Sequence, residues 1–136
     1  VAGVGLEIQP DLPSITGDSR RLREVFLNLL NNALKYGCDG SSPVIRVGAT
    51  GEGAQVHFWV EDEGPGIPRE LRERAFEIFQ RLCPEKEGSG VGLALVRKIV
   101  EIHGGRVWID PDYEDGARFC LAFPQDQIQE RLGQVA

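Results

Sequence analysis

Three glycines spaced by single residues close the segment Glu87-Gly88-Ser89-Gly90-Val91-Gly92-Leu93, which runs directly into an amphipathic stretch over 94–103. Glycine at that spacing strips side chains from the backbone and frees its torsions, so something must approach that backbone closely. A helix is expected where the glycines end. Its first amides lack intrahelical partners and carry the positive end of the helix dipole, which makes a polyphosphate a fitting ligand. A glycine turn serving only tight packing gives the same local pattern. The rest of the chain has to decide between the two.

Two further polar stretches bear on that choice. Asp62-Glu63-Gly64-Pro65-Gly66-Ile67 ends an alternating apolar run, and Asn28-Leu29-Leu30-Asn31-Asn32-Ala33-Leu34-Lys35-Tyr36 lies in a strongly helical pattern. In the latter, Glu24, Asn28, Asn32 and Lys35 recur every three to four residues and form a polar stripe beside the apolar one. Such a stripe can be a solvated face. Asparagine is a mediocre helix former, however, and Asn28, Asn31 and Asn32 within five positions call for a reason beyond solubility. Asp62 is placed at the end of a buried strand, where a lone carboxylate is costly unless it meets a donor.

The surrounding pattern outlines an α/β sandwich. A short strand over 5–9 is broken by Pro10 and Pro13, and Asp18 or Ser19 can cap the next element. Leu22, Val25, Phe26, Leu29, Leu30 and Ala33 keep helical spacing up to Tyr36-Gly37, followed by a loop over 38–43. Strands over 44–50 and 54–61 are joined by Gly51-Glu52-Gly53 as a hairpin, with Val56, Phe58 and Val60 on one face. Pro68 opens a short charged helix over 69–76, and 84–90 is a polar loop. A second long helix, 91–103, stops at Gly104-Gly105 and turns Leu93, Val96, Ile99 and Val100 inward. Strands over 106–110 and 117–123 flank a turn at 112–116. The expected fold is a two-layer α/β (α+β) sandwich, one mixed, mainly antiparallel sheet with helices on one face. Residues 1–124 make one domain and 125–136 a polar tail.

The order of the three polar stretches resembles the asparagine box and two glycine boxes of the catalytic and ATP-binding domain of sensor histidine kinases. That family belongs to the superfamily of gyrase, Hsp90 and MutL ATPases with the Bergerat ATP-binding fold. The resemblance extends from about Leu6 to Pro124. It implies ATP and Mg2+ as ligands, with the nucleotide between the helical layer and a flexible lid. It assigns Asn32 to magnesium, Asn28 to a supporting place nearby, and Lys35 and Tyr36 to the phosphates and ribose. An amide oxygen suits a hard cation already carried by ATP. Asp62 is assigned to the adenine amino group, with Gly64, Gly66 and Ile67 beneath the base, and Gly88, Ser89, Gly90, Val91, Gly92 and Leu93 follow the phosphates. Phe76-Glu77-Ile78-Phe79-Gln80-Arg81-Leu82 resembles the phenylalanine box that anchors the lid, and the short lid over 81–87 together with Phe79-Gln80-Arg81-Leu82 is similar to phytochrome-type kinases. Phe76 and Phe79 suit packing, whereas the Arg81 guanidinium suits the triphosphate.

In hydrolysing relatives and anti-sigma serine kinases, a glutamate four residues before the magnesium asparagine acts as base. Here that position is Asn28. An amide takes no proton usefully, so transfer to an already nucleophilic histidine is favoured over water activation. His57 and His103 lack the flanking residues of a phosphoacceptor and are expected to be structural. The acceptor and dimerisation helices then belong to a separate domain of a homodimeric parent kinase that passes the phosphate to a response regulator. A nucleotide-binding regulatory module without transfer activity and an ATPase relative stand as alternatives.

Composition agrees with this. The 136 residues suit one domain, and 41% hydrophobic with 26% charged residues describe a soluble globular chain. Fifteen Lys and Arg against 21 Asp and Glu give a net charge of -6, which disfavours nucleic acid and requires positive charge to be focused locally around ATP. Cys38, Cys83 and Cys120 are widely spaced without a CxxC pair and are expected as reduced thiols in a cytosolic, monomeric domain. No apolar run approaches the roughly 20 residues of a membrane span, and no signal peptide is visible, so no membrane contact is expected of this domain. Starting at Val1 and lacking methionine, the chain is expected to be a piece of a longer protein.

Overall fold

The structure, a computed structural model, describes residues 4–36, 44–77 and 92–124. Among these the elements are β1 (Gly5–Ile8), α1 (Ser19–Tyr36), β2 (Val44–Glu52), β3 (Gln55–Asp62), α2 (Arg69–Arg72), α3 (Gly92–Ile102), β4 (Arg106–Ile109) and β5 (Arg118–Pro124). One five-stranded sheet runs β1-β2-β3-β5-β4, with β1 parallel to β2 and the other pairs antiparallel. It is the mixed, mainly antiparallel sheet of the expected fold class.

Helix α1 forms because its apolar residues lie on one stripe and its start is capped. The Asp18 Oδ1 accepts the backbone N–H of Arg20 at 3.0 Å and of Arg21 at 3.2 Å, satisfying two of the donors a helix start leaves open. Leu22, Val25, Leu29 and Ala33 then face inward and are buried. The larger of these contribute about 1.5–3 kcal/mol each through burial. In α3 the buried set is Leu93, Val96, Ile99 and Val100, as expected. This helix stops at Ile102 because Gly104 takes φ +77° and the Gly105 N–H returns to the Val100 carbonyl at 2.9 Å.

The two helices run antiparallel and are tied at one end by His103. Its Nε2 accepts the Asp18 N–H at 3.1 Å, and its Nδ1 lies 2.8 Å from the Ile99 carbonyl, to which it donates. A Cβ at position 17 would sit 2.3 Å from the imidazole Cδ2, so glycine is required where the ring seats. These contacts fit the structural role read from the sequence.

The sheet turns Val47, Ala49, Val56, Phe58, Val60, Phe119, Leu121 and Phe123 into one core with both helices. Phe26 of α1 meets Phe58 edge to face at 5.7 Å between ring centroids. On the opposite face, the Trp59 indole lies over Gly48, where a Cβ would approach to 2.4 Å. Arg106 covers Trp108 at 4.3 Å, and Arg118 joins Glu61 at 2.7 Å and Asp110 at 3.1 Å. Beyond β1, Gln9 extends the edge pairing with its side chain: Nε2 donates to the Ala49 carbonyl at 3.1 Å and Oε1 accepts the Ala49 N–H at 3.2 Å.

Two expected boundaries move by two residues or more. The hairpin turns at Gly53-Ala54 and not across Gly51-Glu52-Gly53, because Gly51 pairs with Val56 and Glu52 with Gln55, leaving Gly53 at φ +62° to reverse the chain. The charged helix reaches only Arg72 and not 76. From there a tighter turn, with the Glu77 N–H on the Arg74 carbonyl at 3.0 Å, brings the adjacent Ala75 and Phe76 both into the core. Phe76 meets Phe119 edge to face, fulfilling its expected packing role.

Candidate active site

Two groups of expected site residues come together. The first lies where α1 passes the start of α3. Asn28 and Asn32 stand one turn apart and half-buried, while Asn31 and Lys35 are exposed. Asn28 Nδ2 donates to the Glu24 carbonyl at 2.9 Å, which leaves its Oδ1 facing Gly92. A Cβ at position 92 would come within 3.0 Å of that oxygen, so the first residue of α3 is glycine for a steric reason. The first-turn amides of α3 and a polar stripe of amides from α1 therefore border the same region.

The second group surrounds Asp62, which is only 4% exposed at the end of β3. Its Oδ1 accepts two backbone N–H groups, from Gly64 at 2.9 Å and from Ala117 at 3.2 Å. No described residue donates to Oδ2. The Asp62 N–H reaches the Ala117 carbonyl at 2.9 Å, and the Asp62 carbonyl accepts the Tyr113 hydroxyl at 3.1 Å. Burial pushes the Asp62 carboxyl above the ordinary aspartate range; the Gly64 and Ala117 amides pull it back, and the Glu61 charge adds to the rise. The donor a buried carboxylate needs is thus found in two amides on one oxygen, with the second oxygen left to act as an acceptor.

Glycine at 66 and 116 makes this approach possible. Gly66 holds φ +78°, and a Cβ there would come 3.0 Å from the Gly116 carbonyl. At Gly116 a Cβ would stand 2.1 Å from the Asp62 carbonyl oxygen. Ile67 and Leu93 belong to the core at 8% exposure each, so what they offer a ligand is an apolar wall. The Ile67 carbonyl accepts Arg72 Nε at 3.0 Å. The Tyr36 side chain, Arg81 and residues 88–91 lie outside the described residues, as do the lid and Cys38 and Cys83. Tyr113, Gly116 and Ala117 were not singled out from the sequence, where 112–116 reads only as a turn. Their separation from Asp62 by 51 to 55 residues leaves no local signal.

Among the described residues no group of three or more His, Cys, Asp and Glu side chains could hold a metal ion. A cation here would have to arrive with oxygen ligands of its own and meet neutral amide oxygens, which the Asn28–Asn32 stripe can offer. No helix among the described residues is long and apolar enough to cross a membrane.

With this geometry in place, the chain belongs to the histidine kinase-, DNA gyrase B- and HSP90-like ATPase family, whose model matches residues 17–127. Within it, the chain is the ATP-binding catalytic domain of the sensor histidine kinase type. It is 40% identical over 121 residues to the methanogenesis regulatory histidine kinase FilI of Methanothrix harundinacea (strain 6Ac), covering 89% of this chain and 13% of that protein. Against the adaptive-response sensory kinase SasA of Synechococcus sp. (strain CC9902) it is 44% identical, covering 91% of this chain and 33% of the relative. The chain therefore spans a third or less of these two relatives. Among solved structures, the mycobacterial sensor histidine kinase MprB superposes with a TM-score of 0.79 at 28% identity, covering 90% of this chain and 84% of that one. Full-length ShkA in complex with AMPPNP matches with a TM-score of 0.70 at 31% identity, covering 89% of this chain and 25% of that one.

Proposed function

We propose that this domain binds Mg-ATP and donates the γ-phosphate to a histidine on a separate helical phosphoacceptor and dimerisation domain of a homodimeric parent. A response regulator takes the phosphate downstream. In this reading residues 1–124 are the catalytic domain, 125–136 a tail, and the domain works in the cytosol as a monomeric unit. Asp62 Oδ2 accepts the adenine amino group, while Gly64, Gly66 and Ile67 shape the floor under the base. The triphosphate lies along the start of α3, against Gly92 and the glycine segment from Gly88 with Ser89, Gly90, Val91 and Leu93. Asn32 is the metal-binding side chain, Asn28 backs it, Lys35 and Arg81 approach the phosphates, and Tyr36 the ribose. Magnesium, when bound, neutralises phosphate charge that the two amides alone cannot.

One observation carries the reading as transfer and not hydrolysis: the side chain facing the start of α3 is the amide of Asn28. One hydrogen of its nitrogen is spent on the Glu24 carbonyl and its oxygen has no useful basicity, so this side chain cannot deprotonate water. The domain has to position phosphate and leave nucleophilicity to the acceptor. Mixing the domain with a histidine-bearing helical acceptor domain and γ-labelled ATP should give acid-labile phosphohistidine. Folded protein that binds ATP but never labels the acceptor would refute transfer, and rapid ATP turnover by the chain alone would favour the hydrolytic alternative.

A further inference from the structure

The end of the β3–β5 ladder departs from regular antiparallel pairing in one respect. Glu61 opposes Arg118, so Asp62 and Ala117 come next and would exchange two backbone hydrogen bonds as a closing pair. One is made, from the Asp62 N–H to the Ala117 carbonyl at 2.9 Å. The other is diverted: the Ala117 N–H donates to the Asp62 carboxylate at 3.2 Å, and the Tyr113 hydroxyl occupies the Asp62 carbonyl at 3.1 Å in its place. Tyr113 thus satisfies the acceptor that Ala117 would otherwise have to serve, and this frees the Ala117 amide for the carboxylate.

The phenol is itself held. Arg118 stacks its guanidinium 4.4 Å from the Tyr113 ring centroid and is anchored by Glu61 and Asp110. The same connection grips the floor of the site, because Arg72 links the Ile67 carbonyl to the Pro111 carbonyl at 3.0 and 3.3 Å. Burial raises the phenol above its ordinary range, so it remains a hydrogen-bond donor.

Resting on the adenine reading above, we infer that Tyr113 is a positioning residue for base recognition, keeping the Ala117 amide on Asp62 Oδ1 so that Oδ2 points to the adenine amino group. A ring that merely filled the turn would serve as well without its hydroxyl. Without it, the Asp62 carbonyl is left to compete for the Ala117 N–H, and the carboxylate loses one of its two tethers.

The test is Tyr113→Phe, with ATP and GTP affinities by calorimetry and the melting midpoint measured alongside. ATP should weaken about three- to tenfold, as expected for one lost tether, while GTP, which carries a carbonyl at the amino position, changes less than about twofold. Unchanged ATP affinity in the variant, or equal weakening of both nucleotides with a lowered midpoint, overturns the inference while leaving the adenine reading intact. Wild-type protein that binds ATP and GTP alike overturns both. Amide NMR of the wild-type chain gives a second route that needs no variant: the Gly64 and Ala117 amide protons should shift together as Asp62 titrates. If Gly64 alone responds, Ala117 is not on the carboxylate and the inference fails.

Discussion

Replacing Gly116 by alanine concentrates the steric logic of the site into one methyl group. On the present backbone the added Cβ would stand 2.1 Å from the Asp62 carbonyl oxygen, 2.8 Å from its carbon and 2.9 Å from Oδ1. Ordinary van der Waals contact begins at 3.4 Å, so β5 must draw away from β3 by roughly 1 Å. All three neighbours belong to a strand end and its tethered carboxylate, and none is the loose tip of a flexible side chain. The displacement lengthens the bonds now at 2.9 and 3.2 Å between Asp62 and Ala117 beyond useful range. One is an ordinary backbone bond and the other ends on a carboxylate, so their loss costs about 2–4 kcal/mol. For a domain of this size that lowers the melting midpoint by roughly 8–15 °C. The matched control is Gly53→Ala, where φ is +62° and nothing lies within 4 Å of the new methyl. It should cost only about 1 kcal/mol of backbone strain. Urea titration followed by circular dichroism compares the two. If Gly116→Ala is no more destabilising than Gly53→Ala, the close approach of the two strands is not what fixes Asp62, and the reasoning fails.

Three further outcomes are expected. Asn32→Ala should lower ATP affinity about tenfold in magnesium, the equivalent of one lost ligand interaction, with little change in EDTA; an equal loss in both, read by calorimetry, removes Asn32 from the metal. Because the folded state raises the Asp62 carboxyl, stability from this group is present below the ordinary value of about 3.9 and is lost as pH rises through the raised one. Asp62→Asn should therefore gain on wild type in urea midpoint as pH climbs through that window, whereas ATP binding by wild type should weaken on acidification, before an ordinary aspartate would protonate. A stability difference independent of pH would contradict this assignment. Finally, burial and then Asp110 push the Cys120 thiol up to about 11, so its alkylation by iodoacetamide near neutral pH should run roughly ten- to a hundredfold slower than that of a free thiol. Rapid labelling at Cys120 by mass spectrometry would show the thiol is not shielded as described.

What the sequence made legible follows the range of the interactions involved. Leu22, Val25, Leu29 and Ala33 predict α1 because helical spacing is local, and Val56, Phe58 and Val60 predict the buried face of β3 for the same reason. Asp62 could be flagged as a carboxylate in need of a donor, since burial of its strand is readable from alternation. Its donors could not be named, because Ala117 and Tyr113 come from a connection more than fifty residues away. In the sequence Gly92 is backbone cleared for phosphate, and in the structure its missing side chain also makes room for Asn28. The misplaced ends, at Gly53-Ala54 and after Arg72, are places where register and the demands of Phe76 on the core outweigh local preference.

The Gln9 side chain carries a consequence for the sheet edge. An outer strand that stops at Ile8 would leave the Ala49 position of β2 open as a template for a foreign chain, and Pro10 prevents the backbone from continuing regular pairing.

 One primary amide closes that opening, since it offers a donor and an acceptor in a single plane and so occupies both polar groups of Ala49. The side chain thus covers part of an edge that would otherwise lie open to a foreign strand, and a glutamate at this position, lacking the donor, would leave the Ala49 carbonyl unmatched.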